Sequence, residues 1–386
     1  ILYPAFTVFH GFDVSTGLLD LRSIQFLFPD FPSLGGTAWG SARLDSSWLD
    51  VRFSNANVSH QNGSGEPTRV TGSGRATWGE KFMTYDVSIN AQPLSLPMIS
   101  RAYQLGLKGL FSGPIKASGT SENMQVSADL TGPGGRFTYD GTVDVDGLTV
   151  AAKGRGRVDA LELSQLIDRE KVPAGWVTGD YRLDLVGDTN DLASLRGNAG
   201  LAIDRSEFDG VRIFPSRSFA RFDDRRMFID TLRVESTAAT VDAVGALGLA
   251  ADRTDSITYR IVIDSLGGLR RYLGMLDAAS RDSGAAPDSL AGSATVHGTL
   301  SGSLRARRAM GRGAAPNGVV RRPAGRDVSG SFDITNVLAA PTGSLALRSR
   351  SLEVGGIALD TLGVSLRLNE GRTGAFSLGA RSVNDV

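Results

Sequence analysis

The chain has no cysteine, which excludes a disulfide framework, a thiolate metal site and a cysteine nucleophile. Histidine is nearly as scarce. His10, His60 and His297 stand far apart and form neither a His-x-x-x-His nor a His-Glu-x-x-His pattern, so nothing points to a zinc centre. No charge of one sign dominates: 41 basic residues face 41 acidic ones, which removes the global field that would recruit nucleic acid. Only five of the basic residues are lysine. Long hydrophobic runs are also missing. The most apolar stretches, such as Ile24 to Phe28, fall far short of the ~20 residues that span a bilayer. No basic segment followed by an apolar run marks a signal peptide. The chain begins at Ile1 and stops abruptly at Val386, so we expect an internal or C-terminal-proximal segment of a longer protein.

What is abundant is glycine, 48 of 386 residues, with no collagen-like three-residue period. An excess of that kind belongs to turns and bulged strands, not helices. The dominant pattern is alternation of apolar and polar residues in short runs. Phe137-Thr138-Tyr139, Val143-Asp144-Val145, Tyr181-Arg182-Leu183-Asp184-Leu185, Ile257 to Ile263 and Val364 to Leu368 all show it. Alternate side chains of a strand point to opposite faces, so each run offers one apolar face and one polar face. Gly, Asp, Asn and Ser punctuate the runs at the spacing of an antiparallel meander, with Asp146-Gly147 and Asp209-Gly210 as hairpin turns.

Four patches carry apolar residues at helical spacing instead: Asp20 to Pro32, Leu94 to Tyr103, Asp159 to Asp168 and Leu266 to Leu276. Each is only two or three turns long and would not be stable alone. Each precedes a Gly-rich strand, beginning near Gly36, Gly113, Gly179 and Gly292. Counted from Leu21, Leu94, Leu161 and Leu266 the intervals are 73, 67 and 105 residues, a degenerate structural repeat. This divides the chain into β-repeats at 1–93, 94–160, 161–265 and 266–304, an Arg-rich segment at 305–327, and a final β-segment at 328–386. The Arg-rich segment has seven arginines between Arg305 and Arg326 and no acidic residue, and reads either as a disordered loop or as a basic patch facing lipid headgroups.

The search for catalytic chemistry returns nothing. No serine has glycine at both minus two and plus two, so the hydrolase nucleophile elbow is absent. Gly154-Arg155-Gly156-Arg157 lacks the third glycine of a phosphate loop and lies in a strand-like context. A calcium loop begun at Asp144 would place Arg155 where its bidentate glutamate belongs. We therefore expect no enzymatic activity, no cofactor and no metal.

The final sixty residues carry the most specific likeness. Gly355-Gly356-Ile357-Ala358-Leu359-Asp360-Thr361-Leu362, the amphipathic run Val364 to Leu368, and Phe376-Ser377-Leu378-Gly379-Ala380 resemble the repetitive bodies of the AsmA-like/TamB superfamily. The helical patch followed by a Gly-rich hairpin is similar to that superfamily as well. The resemblance implies an all-β fold: an elongated, twisted antiparallel sheet folded into an open apolar groove, with a few short amphipathic helices. It further implies a periplasmic protein of a Gram-negative-type envelope, held to the inner membrane by an N-terminal helix that this chain lacks. Its function would be to conduct phospholipid acyl chains between the inner and outer membranes. An alternative is a scaffold or chaperone for outer-membrane proteins, working with a barrel partner. Outside the family, a secreted β-rich adhesin or binding module is the further alternative. Lining residues of such a groove are expected at Val143, Val145, Leu183, Leu185, Tyr259, Ile261, Ile263, Leu366 and Leu368.

Overall fold

The computed structural model describes residues 8–27, 34–47, 49–78, 83–103, 106–144, 149–168, 174–188, 191–208, 210–250, 252–266, 290–302, 307–316, 319–320, 326–336, 342–354, 357–369 and 374–382. The chain divides into two units, Ile1–Gly210 and Val211–Val386. In both, the alternating runs have become strands and the fold is all-β.

The first unit contains β1 (Val8–Asp20), α1 (Leu21–Leu27), β2 (Thr37–Ser47), β3 (Asp50–Gln61), β4 (Thr68–Trp78), β5 (Met83–Ser95) and α2 (Leu96–Tyr103). It continues with β6 (Leu110–Thr120), β7 (Met124–Gly132), β8 (Gly135–Asp144), β9 (Thr149–Glu162), α3 (Leu163–Leu166), β10 (Gly175–Asp188), β11 (Asp191–Ile203) and β12 (Ser206–Phe208). From β1 to β11 every strand pairs antiparallel with the next, and β12 adds a short pairing on β10. Among the described residues no pairing joins β1 to β11, so this meander is not closed into a barrel.

The helices follow β1, β5 and β9, one after every fourth strand. Strands of an antiparallel meander alternate in direction, so all three helices emerge at the same rim of the sheet. The expected patch from Leu94 becomes α2 almost unchanged. The patch from Asp159 shrinks to α3, because β9 runs on to Glu162. Leu21 N–H donates to the Gly36 carbonyl and Leu96 N–H to the Gly109 carbonyl, each at 3.0 Å. Leu266 N–H repeats the bond to Gly292 at 2.8 Å in the second unit, although the helical patch that follows it there lies outside the described residues. A leucine-to-glycine clamp thus recurs at three of the four patches, while at the Asp159 patch Glu162 N–H donates to the Gly134 carbonyl at 2.9 Å instead.

Packing is densest at that rim. Ala38, Ala91, Met98, Phe111, Leu130 and Val158 are buried, with Met98 and Ala91 fully so. Helix α2 is held there by the β3–β4 hairpin. Asn62 N–H donates to Met98 Sδ at 3.1 Å, and the Arg101 guanidinium donates to the carbonyls of Asn62 and Ser64. A helix of two turns persists because its apolar side is buried, not by its own propensity.

The second unit contains β13 (Val211–Ile213), β14 (Ser216–Asp223), β15 (Arg226–Glu235), β16 (Thr240–Gly248), β17 (Asp255–Ile263), β18 (Leu290–Ala291), β19 (Ala294–Gly302) and β20 (Arg307–Ala315). Then follow β21 (Val319–Val320), β22 (Arg326–Thr335), β23 (Thr342–Val354), β24 (Ile357–Leu368) and β25 (Gly374–Ser382). The antiparallel ladder runs β14-β15-β16-β17-β19-β20-β22-β23-β24-β25, while β18 and β21 form a separate pair. The Arg-rich segment departs from the loop expectation. Arg307 to Ala315 is a strand paired along its length with β19 and β22. The physical reason is its own alternation: Arg308, Met310, Arg312 and Ala314 are exposed while the small residues between them face the other side of the ladder. The hairpin turns expected at Asp146-Gly147 and at Asp209 fall outside the described residues. The Gly154-Arg155-Gly156-Arg157 run is plain strand within β9.

Candidate functional site: the apolar face

In an antiparallel ladder, residues directly opposite one another share a face. Following the register across the first unit gives three adjoining rows. One runs Phe53, Gly74, Val87, Ala117, Val126, Gly141, Gly154, Leu183 and Ala199. Beside it runs Tyr85, Gly119, Met124, Val143, Ala152, Leu185 and Gly197. On its other side runs Ile89, Ile115, Ala128, Tyr139, Gly156, Tyr181 and Leu201. No charged residue interrupts any of them.

The second unit repeats this. Tyr259, Gly298, Gly311, Phe332, Leu345 and Leu366 form one row, flanked by Ile261, Val296, Gly313, Gly330, Leu347 and Val364. On the other flank stand Ile257, Leu300, Ala309, Ile334, Gly343 and Leu368.

Burial decides what these rows are. Had a second layer packed on the face, its central positions would be buried like the rim residues. In the three rows of the first unit every residue is half-buried. In the second unit Ile257 is buried at 7%, while Leu347 stands 38% exposed. The rows shield one another laterally and remain open from above. Contiguous apolar surface of this extent marks an interaction site, since soluble proteins rarely leave it uncovered.

Glycine and aromatic residues alternate along the rows for a steric reason. A methyl added at Gly154 would meet the Tyr139 ring at 2.8 Å, and one at Gly74 would meet Phe53 at 2.9 Å. Gly156 lies under Tyr181, Gly298 under Tyr259 and Gly311 under Phe332 in the same way. Each ring therefore lies flat over backbone of the neighbouring strand. The tyrosine hydroxyls are consumed in doing so. Tyr139 Oη donates to the Thr142 carbonyl at 2.9 Å and Tyr181 Oη to the Thr138 carbonyl at 2.7 Å. Tyr181 also stacks on Phe137, with centroids 5.7 Å apart. Burial pushes the hydroxyls of Tyr139, Tyr181 and Tyr259 above the ordinary tyrosine range.

The opposite face is polar. In the first unit it is laced with ion pairs: Arg75 with Asp50 at 2.6 Å, Arg136 with Asp129 at 2.7 Å and Lys153 with Asp184 at 3.0 Å. Arg157 reaches Asp159, Asp180 and Asp204. Hydrogen bonds to Asp204 and Asp159 raise its guanidinium above the usual range.

The expected lining residues fall on the face as follows. Val143 and Leu185 share one row through Ala152, and Leu183 occupies the next row. Tyr259 and Leu366 share a row in the second unit; Ile261 and Leu368 stand in the two flanking rows. Ile263 is buried at 9% and packs at the row's end beside Ala294 instead of lining the open face. Val145 lies outside the described residues. The expected lining set left out Phe53, Val87, Ile115 and Phe332, and also Tyr139 and Tyr181, although those two stand in alternating runs read from the sequence. The alternation that would have found them was visible in Tyr85-Asp86-Val87-Ser88-Ile89, but their pairing with particular glycines follows only from register.

Among the described residues no group of three His, Asp or Glu side chains could hold a metal ion. No helix among them is long and apolar enough to cross a membrane. No family model, curated protein or solved structure matches the chain.

Proposed function

We propose that this chain is a non-enzymatic segment of an AsmA-like/TamB-type envelope protein, and that its apolar face conducts phospholipid acyl chains through the periplasm between inner and outer membranes. The observation that carries the reading is the set of unbroken apolar rows in each unit, strand after strand, that no second layer of described residues covers. Moving an acyl chain from bilayer to water costs about 0.8 kcal/mol per methylene, so a sixteen-carbon chain meets roughly 12 kcal/mol. A wall that takes one side of the chain out of water lowers that barrier substantially and leaves the headgroup wet. With the Tyr139, Tyr181 and Tyr259 hydroxyls already bonded to backbone carbonyls, covering these rings with hydrocarbon strips no unmet hydroxyl of its water. In the full-length protein an N-terminal helix would anchor the assembly in the inner membrane, and an outer-membrane barrel protein is the partner at the far end.

The test is native mass spectrometry with lipid extraction on the segment expressed in a Gram-negative host. Several phospholipids per chain are expected. A lipid-free protein that instead captures unfolded outer-membrane strands would replace transport with the scaffold reading.

A further inference from the structure

The polar faces of the two units differ in charge. In the first unit most of the charges on that face are neutralised by ion pairs. In the second, the register sets Arg260, His297 and Arg312 side by side on β17, β19 and β20, all exposed. Arg348, Arg350, Arg367 and Arg381 extend the same face across β23, β24 and β25, and all four are exposed. Arg308 is held by Asp333 at 2.5 Å. Among the described residues, Arg260, Arg312, Arg348, Arg350, Arg367 and Arg381 form no ion pair within 4.0 Å of a carboxylate. Asp327 and Asp360 sit at register shifts instead of in the rows. From Ala294 to Val386 the sequence carries twelve arginines against six carboxylates, although the whole chain is neutral.

A face of guanidinium groups without carboxylate partners is stabilised by an anionic partner. The partner's form follows from what lies between the arginines. Met310 is 37% exposed, flanked along β20 by Arg308 and Arg312, and the exposed Ala314 and Ala346 leave low ground around it. From β17 to β25 the His297 imidazole is the one described aromatic ring on this face, too few for the succession of stacked bases a single-strand nucleic-acid surface holds. Guanidinium groups interspersed with an exposed apolar side chain are what a lipid headgroup layer accepts.

We propose that the polar face of β17 and β19 to β25 docks on an anionic lipid bilayer. The inference concerns the side of the sheet opposite the acyl-binding face and does not depend on it. Its test is co-sedimentation of the full chain with vesicles of phosphatidylcholine alone, or with about a third phosphatidylglycerol.

Binding is expected only to the anionic vesicles, and is lost as sodium chloride rises from tens to hundreds of millimolar. Each arginine removed weakens partitioning by about fivefold. The combined Arg312→Gln, Arg348→Gln, Arg350→Gln and Arg367→Gln variant therefore loses several hundredfold. A matched variant of the first unit, with Arg52→Gln, Arg155→Gln, Arg182→Gln and Arg196→Gln, keeps wild-type binding. Equal binding to neutral vesicles, equal loss in the matched variant, or no vesicle binding overturns the proposal. So does tighter binding to a short DNA duplex than to the vesicles, which would assign the face to nucleic acid. The salt response of the wild type needs no variant, so it remains decisive if a substituted chain folds poorly. Loss of vesicle docking with bound lipid retained would sink this inference alone. Retained docking without bound lipid would sink only the transport reading.

Discussion

Leu183 offers the sharpest test of the acyl-binding face, because its neighbours in β10 point the other way. Leu183 is half-buried between Gly154 and Ala199, while Arg182 and Asp184 are exposed on the opposite face. Burying a whole leucine side chain is worth about 2–3 kcal/mol, so covering the third or less left open contributes about 0.5–1 kcal/mol to a bound chain. That is about two- to fivefold in affinity. Leu183→Asp is expected to lose at least that much, because it also sets a carboxylate against hydrocarbon. Adding Leu185→Asp in the next row brings the loss to about tenfold or more. Arg182→Asp alters the same strand by one residue and is expected to change binding less than twofold. The assay is retention of bound phospholipid by native mass spectrometry, backed by titration with a fluorescent acyl probe. Far-UV circular dichroism establishes that the variants fold, and the uncharged Leu183→Asn reports on the site if the acid does not. Equal losses from Leu183→Asp and Arg182→Asp would refute the assignment of ligand to one face.

Three further outcomes follow from the packing. Gly156→Ala drives a methyl into the Thr138 carbonyl and within 2.6 Å of the Tyr181 ring, so chemical denaturation is expected to show a loss of about 1–3 kcal/mol. Gly379→Ala, with nothing within 4 Å, is expected to leave the midpoint unchanged or slightly raised. Met98→Ala removes a fully buried side chain at the helix rim and is expected to cost 2–5 kcal/mol by the same assay, leaving lipid binding at Leu183 intact. Tyr139, Tyr181 and Tyr259 have hydroxyls raised by burial, so unfolding releases their protons more readily. Stability is full below the ordinary tyrosine value of about 10 and falls as pH rises beyond it. The urea midpoint between pH 7 and 11 should show this, and Tyr181→Phe should flatten the decline.

Most of the fold was legible because strand periodicity is local. Tyr181 to Leu185 and Ile257 to Ile263 declare their faces within a few residues, and the register then places Leu183 and Tyr259 on apolar rows. The helical patches were legible for the same reason, but their ends were not. Nothing local in Asp159 to Glu162 distinguishes the last turns of a strand from the first of a helix, and pairing with β10 decides it. The strand at Arg307 to Ala315 was hidden by its arginines, whose charge resembles that of a solvated loop. Its glycine and alanine positions carry the alternation with side chains too small to register as apolar. The long-range partners of Gly154, Gly156 and Gly311 were invisible, because which ring covers which glycine is a property of register and not of either residue.

That last point bears on why the face is open at all. A packed core takes its uniqueness from interdigitation, with large side chains projecting into gaps between those of a facing layer. Here the large residues are turned sideways: Tyr139 over Gly154, Tyr181 over Gly156, Phe332 over Gly311. A ring laid on its own sheet has filled its contacts laterally and offers a facing layer no knob to grip. The glycines that make this possible forfeit the side chains a core would need, and Gly in a strand interior weakens it. A sequence selected for a sandwich would replace these glycines with Val or Ile. Retaining them at matched positions gives each unit a low apolar wall of its own, whose partner needs area but no fixed shape.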